Sequence, residues 1–188
     1  TLNDYQEEGL EPGVPPLDER IRTFSEISSC IGEGRLTWRF DPILLSDTLT
    51  VDRLLERIQG IGDRLFRHTR RMVISFIDIG RYPRLRRNLA AAGFSGVREP
   101  SHGEIMRIAR GLSELNEGWG LEVQACGEES DLSAWGIGRG ACISYDTLVR
   151  EFRHDQLLMD FLRPEEDQDS RKRELNDPGQ RRWCGCVA

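Results

Sequence analysis

The sequence predicts an α/β fold, and three observations predict it. Strand-like and helix-like stretches follow one another in three successive units. One apolar run is nearly continuous, as in a strand covered on both faces. Each of these strands closes on a polar or metal-capable residue. Repeated units of this kind imply a parallel sheet with right-handed crossovers.

In chain order, Thr1 and Leu2 read as the tail of an earlier strand. Pro16 suits the first position of a helix, and Leu17, Ile21, Phe24, Ile27 and Ile31 continue at helical spacing. The first strand is Leu36–Asp41, where Leu36, Trp38 and Phe40 alternate with Thr37, Arg39 and Asp41. After Pro42 and a short loop, Thr50 is placed to cap a helix. Its residues Val51, Leu54, Leu55, Ile58, Ile61 and Leu65 fall on one face. The second strand is Met72–Ile79, the continuous apolar run, and the basic stretch Arg81 to Arg87 beyond it reads as mobile. Ser101-His102-Gly103-Glu104 forms a capping box ahead of Ile105, Ile108, Ala109, Leu112 and Leu115. The third strand is Leu121–Cys126, and Ser144 caps a helix from about Tyr145 to Arg153. Residues 1–163 therefore form the α/β part, and 164–188 a polar tail leading to Cys-Gly-Cys.

A chain of 188 residues supports one core of ordinary size and is too short for a complete eight-fold β/α barrel. The net charge of −6 argues against general nucleic-acid binding, which needs a basic surface. No apolar run reaches membrane-spanning length and no signal peptide opens the chain, so the cytoplasm is the expected compartment. The chain starts at Thr1 and stops two residues after a Cys-Gly-Cys, which reads as an internal fragment of a longer protein.

In parallel α/β folds chemistry gathers at the carboxyl ends of the strands. Those ends carry Arg39 and Asp41, then Asp78, then Cys126, Glu128 and Glu129. Arg39 and Asp41 share a strand face, suited equally to a structural ion pair and to a substrate contact. Asp78 ends an apolar strand and needs a partner: Arg39, a backbone amide or a ligand. His68, His102 and His154 show no ligand spacing.

Of five cysteines, Cys30 lies beside Ile27 and Ile31 and reads as a small buried hydrophobe. Cys126, Cys142, Cys184 and Cys186 are the candidate metal ligands. Cys142 sits in the glycine-rich loop Gly136–Cys142, and Cys184 and Cys186 flank a glycine. Four thiolates suit an iron–sulfur cluster of the 4Fe-4S type or a tetrahedral zinc. Their spacings of 16, 42 and 2 match no standard short motif, and buried core thiols remain the plain alternative.

Several blocks occur in a familiar order: Trp38-Arg39-Phe40-Asp41-Pro42, Val73-Ile74-Ser75-Phe76-Ile77-Asp78, Gln124-Ala125-Cys126-Gly127-Glu128, Gly140-Ala141-Cys142-Ile143 and Gln180-Arg181-Arg182-Trp183-Cys184-Gly185-Cys186. Together they resemble a bacterial family known as a domain of unknown function. Its C-terminal cysteine cluster looks like that of radical S-adenosylmethionine (radical SAM) enzymes, with spore photoproduct lyase a looser relative. The resemblance implies a partial β/α barrel of radical SAM or TIM type, with an iron–sulfur cluster and, in the full-length protein, S-adenosylmethionine. It implies a ferredoxin or flavodoxin as electron donor and a substrate of unknown kind. It also puts the cluster-binding loop for S-adenosylmethionine beyond Ala188, which makes the four cysteines candidates for a second site and leaves the fragment itself inactive. Two other readings compete. One is a divalent-metal hydrolase or isomerase using Asp41, Asp78 and Glu128. The other is a non-catalytic zinc module held by the four cysteines.

Overall fold

A computed structural model describes residues 1–94, 96–128, 130–140 and 144–162, in two compact units, Thr1–Arg139 and Gly140–Ala188. In the first, helix α1 spans Leu17–Ile31, strand β1 Thr37–Ile43, helix α2 Val51–Leu65 and strand β2 Arg71–Phe76. Helix α3 (Pro83–Ala91), helix α4 (His102–Trp119), strand β3 (Glu122–Cys126) and strand β4 (Ile137–Gly140) follow. In the second unit, helices α5 (Tyr145–Phe152) and α6 (Gln156–Leu162) contact one another.

The four strands form one sheet in the order β1-β2-β3-β4, with β1–β2 and β2–β3 paired in parallel. The register aligns Trp38, Met72 and Val123 in one row and Phe40, Ile74 and Ala125 in the next. All six are buried. Because side chains alternate across a strand, these rows make one face, and that face is the core. Leu54, Ile58, Ile61 and Leu65 of α2 join the same apolar cluster, as do Ile108, Ala109 and Leu112 of α4.

The intervening rows, Thr37–Arg71–Glu122 and Arg39–Val73–Gln124, make the opposite face. Here Arg71 and Val73 are buried while Thr37, Arg39, Gln124 and Glu122 are partly or fully exposed. The alternation read in the first strand is therefore the division between core and polar face. Burial of Arg71 to Ile74 on both faces bears out the reading of β2 as a covered strand, but the strand ends at Phe76 and not at Ile79.

The helix starts follow local chemistry. Thr50 accepts a hydrogen bond from the Arg53 amide at 3.4 Å, and Ser144 one from Thr147 at 3.2 Å. Ser101 and Glu104 complete the capping box at α4. Pro16 stands one residue before α1, at the cap rather than the first helical position.

The chain before α1 lies along the outer edge of β1. The Leu2 amide donates to the Arg39 carbonyl at 2.9 Å, and the Trp38 indole donates to the Leu2 carbonyl at 2.9 Å. Tyr5 is buried beside Phe40, and its hydroxyl donates to the Pro42 carbonyl at 2.8 Å. Burial pushes its phenol upward.

Four expectations need correction. β1 does not end before Pro42 but runs through it, with a register shift between Phe40 and Ile43 and a cis Asp41-Pro42 bond. The basic stretch is not irregular: Pro83 opens α3, while Leu85 and Leu89, one turn apart, pack against the core. The glycine-rich stretch is in part a strand, since Ile137–Gly140 forms β4 with Ile137 buried. Cys30 is exposed, as are Ile27 and Ile31, because the inward stripe of α1 runs through Ile21 and Ser28 instead.

Candidate functional site

The polar face gathers its chemistry at the carboxyl end of β1. Arg39 and Asp41, two residues apart, extend from the same side of the strand. Arg39 donates to Asp41 Oδ2 through Nε at 3.2 Å and Nη2 at 2.5 Å. The other carboxylate oxygen, Oδ1, accepts the Ser75 hydroxyl from the neighbouring strand. The backbone of Asp41 is held as well. Its amide donates to Asn3 Oδ1 at 2.9 Å, and its carbonyl accepts from Asn3 Nδ2 at 3.0 Å. The carboxylate is thus fixed by an ion pair, a hydroxyl and a clamped backbone, while both charged side chains stay partly open to solvent.

Cys126 extends this row. Ile74 aligns with Ala125, so the next residues, Ser75 and Cys126, stand level at the carboxyl ends of β2 and β3. Cys126 is half-buried. Asp41, Ser75 and Cys126 are therefore successive members of one lateral row across three strands. Ser75 and Asn3 were not singled out from the sequence. Ser75 had a detectable mark, since it is the polar interruption within the apolar stretch Met72–Ile77. Asn3 had none, because its role depends on where the first residues lie.

The other strand-end acids are engaged locally. Asp78 Oδ1 accepts the Arg81 amide at 2.7 Å, so of its three anticipated partners it takes the backbone. Glu99 Oε1 accepts the Gly80 amide at 2.7 Å, so two carboxylates hold the turn after β2. Glu128 Oε1 likewise accepts the Ser130 amide at 2.7 Å. These contacts secure turns and do not bring Asp78 or Glu128 to Asp41.

Glu129, Cys142, Cys184 and Cys186 lie outside the described residues. Among the described residues, no group of three or more His, Cys, Asp or Glu side chains is placed to hold a metal ion. Of the four anticipated cysteine ligands, Cys126 is the one among the described residues. No helix among the described residues is long and apolar enough to cross a membrane.

Fold and site together define an α/β protein with a parallel sheet, helices against its apolar face and a polar row at the strand ends. The chain belongs to the family described as domain of unknown function (DUF1848), which it matches over residues 1–188. No curated protein and no solved structure matches it.

Proposed function

We propose that this chain is the wall of a β/α barrel enzyme of radical SAM type, with the polar sheet face turned to the substrate. The observation that supports this is the row Asp41, Ser75 and Cys126, level across three parallel strands and partly open at their carboxyl ends. In a barrel that face is the lumen. Residues Leu2 and Asn3 along the edge of β1 stand where a preceding strand of such a barrel would pair.

In this reading Cys126 joins Cys142, Cys184 and Cys186 as ligands of a second, auxiliary iron–sulfur cluster, distinct from the one that would donate an electron to S-adenosylmethionine. Arg39 and Asp41 then orient substrate. Asp41 is held in place for this by Arg39 and by the Ser75 hydroxyl. The divalent-metal hydrolase reading loses support, since Asp78 and Glu128 are each tied to a backbone amide rather than turned to a shared centre. The zinc reading uses the same four thiolates but makes the site structural and non-catalytic.

Anaerobic reconstitution of the full chain with iron and sulfide tests the proposal. A brown protein with broad visible absorbance is expected, and Cys126→Ala should lower its iron content. A colourless protein that takes up zinc instead favours the structural module. Iron content unchanged by Cys126→Ala together with Cys184→Ala and Cys186→Ala would show that these cysteines hold no cluster.

A further inference from the structure

We infer that the segment Arg81 to Arg87 is an anion-recognition surface, fitted to a small ligand that carries a phosphate ester. Residues 79–97 contain four arginines, Arg81, Arg84, Arg86 and Arg87, and no aspartate or glutamate, in a chain of net charge −6. All four are exposed. Among the described residues none of them forms an ion pair, whereas several other arginines are neutralised in place. Arg57 pairs with Glu7 and Glu8, Arg64 with Asp18, Arg107 with Asp52 and Arg110 with Glu114. A positive cluster without internal counter-charge, on a protein that is acidic overall, draws anions from solution.

Its position gives that charge a use. The segment follows directly on β2, at the carboxyl end of the parallel strands, where ligands of such folds bind. It is also held in place. Asp78 and Glu99 fix the turn through the amides of Arg81 and Gly80, and Leu85 and Leu89 anchor α3 on the core. The arginines are therefore presented from a seated element. Tyr82, 40% exposed, adds an aromatic ring between Arg81 and Arg84.

Size decides the kind of ligand. Nine helical residues span about 13 Å, too short to track a polymer, but enough to offer two neighbouring guanidinium groups, Arg84 and Arg87 three residues apart, to one small multiply charged group, with Arg81 and Arg86 adding to the local positive charge. Guanidinium forks match phosphate oxygens in pairs, which selects a phosphate ester over an isolated carboxylate. This inference rests on the reading of the strand-end face as the substrate face, and needs no cluster.

Calorimetric titration of the full, unreconstituted chain with tripolyphosphate tests it. Binding should weaken about tenfold or more in Arg84→Glu/Arg86→Glu/Arg87→Glu, and weaken with added salt. Arg107→Glu/Arg110→Glu on α4 should leave it unchanged. Absence of binding, or equal weakening in both variants, overturns the inference. So does tighter binding of a single-stranded oligonucleotide through the same three arginines. If circular dichroism shows that the glutamate variant is unfolded, Arg84→Gln/Arg86→Gln/Arg87→Gln takes its place with the same expected loss. Because no iron is present, a failed reconstitution leaves this result standing, and a failed titration leaves the cluster proposal standing.

Discussion

The side chains that matter most here are those with several partners at once. Asp41 is one: Arg39, Ser75 and Asn3 hold its two carboxylate oxygens and both backbone groups. Asn3→Ala removes two of these contacts and should lower stability by about 1–2 kcal/mol, read from the urea midpoint. An unchanged midpoint would mean that residues 1–3 are not seated on β1 in solution. Glu104 is another. Arg98, with the Ser101 amide and hydroxyl, holds its carboxyl down at about 2, below its ordinary 4.5. A depressed carboxylate contributes stability that is full above the unfolded value and fades as pH falls towards the folded one. Glu104→Gln should therefore be less stable than the parent at neutral pH, and that gap should close between pH 4.5 and about 2. Thermal unfolding of both proteins across that range checks the sign. A gap that stays constant at all pH would remove the Arg98–Glu104 pair from the account.

At the scale of elements, the contact between α2 and α4 depends on a glycine. Gly62 faces the indole of Trp119 so closely that an added Cβ would run into the ring. Trp119 cannot easily retreat, since its indole nitrogen donates to Asp63 at 2.8 Å and its ring meets Trp38 edge-on at 6.0 Å. Gly62→Ala should therefore destabilise by about 1–3 kcal/mol through overpacking, against a helix-propensity gain of about 1 kcal/mol. Gly60, on the exposed side of the same helix with nothing near its Cβ position, is the control. Gly60→Ala should stabilise by up to about 1 kcal/mol. Opposite signs in guanidinium unfolding are the expected result, and matching signs would contradict the packing. The same contrast explains what the sequence made legible. Caps at Thr50, Ser101 and Ser144 involve residues three apart, so their chemistry is written locally. The split of β1 into core and polar faces follows from strict alternation. Helix α3 was hidden because its inward face is only Leu85 and Leu89 among arginines and alanines. Strand β4 was hidden because two of its four residues are glycine, and its existence depends on β3 lying alongside. Cys30 was misjudged from its neighbours in sequence, when burial depends on which stripe of α1 meets the sheet.

At the scale of the whole molecule, the core and the cysteines are distributed differently. Among the described residues, every buried apolar side chain lies between Leu2 and Ile137, and none belongs to α5 or α6. The sheet, its helices, the Asp41 row and the arginines of α3 all fall within that span. Three of the four candidate ligands, Cys142, Cys184 and Cys186, fall beyond it. Stability and cluster binding should therefore separate along the chain. A protein ending at Gly140 keeps the whole apolar cluster and three of the four tryptophans, Trp38, Trp119 and Trp135. It should unfold in one cooperative transition, with fluorescence and circular dichroism coinciding. It should also retain tripolyphosphate binding, because Arg81 to Arg87 remain seated on the core. Iron uptake on reconstitution should be lost, since Cys126 is the one candidate ligand that remains and a cluster needs several thiolates. If the shortened chain fails to unfold cooperatively, residues beyond Gly140 must complete the core. If it takes up as much iron as the full chain, Cys126 is not acting with the later cysteines, and the lateral row at the strand ends must be explained without a cluster.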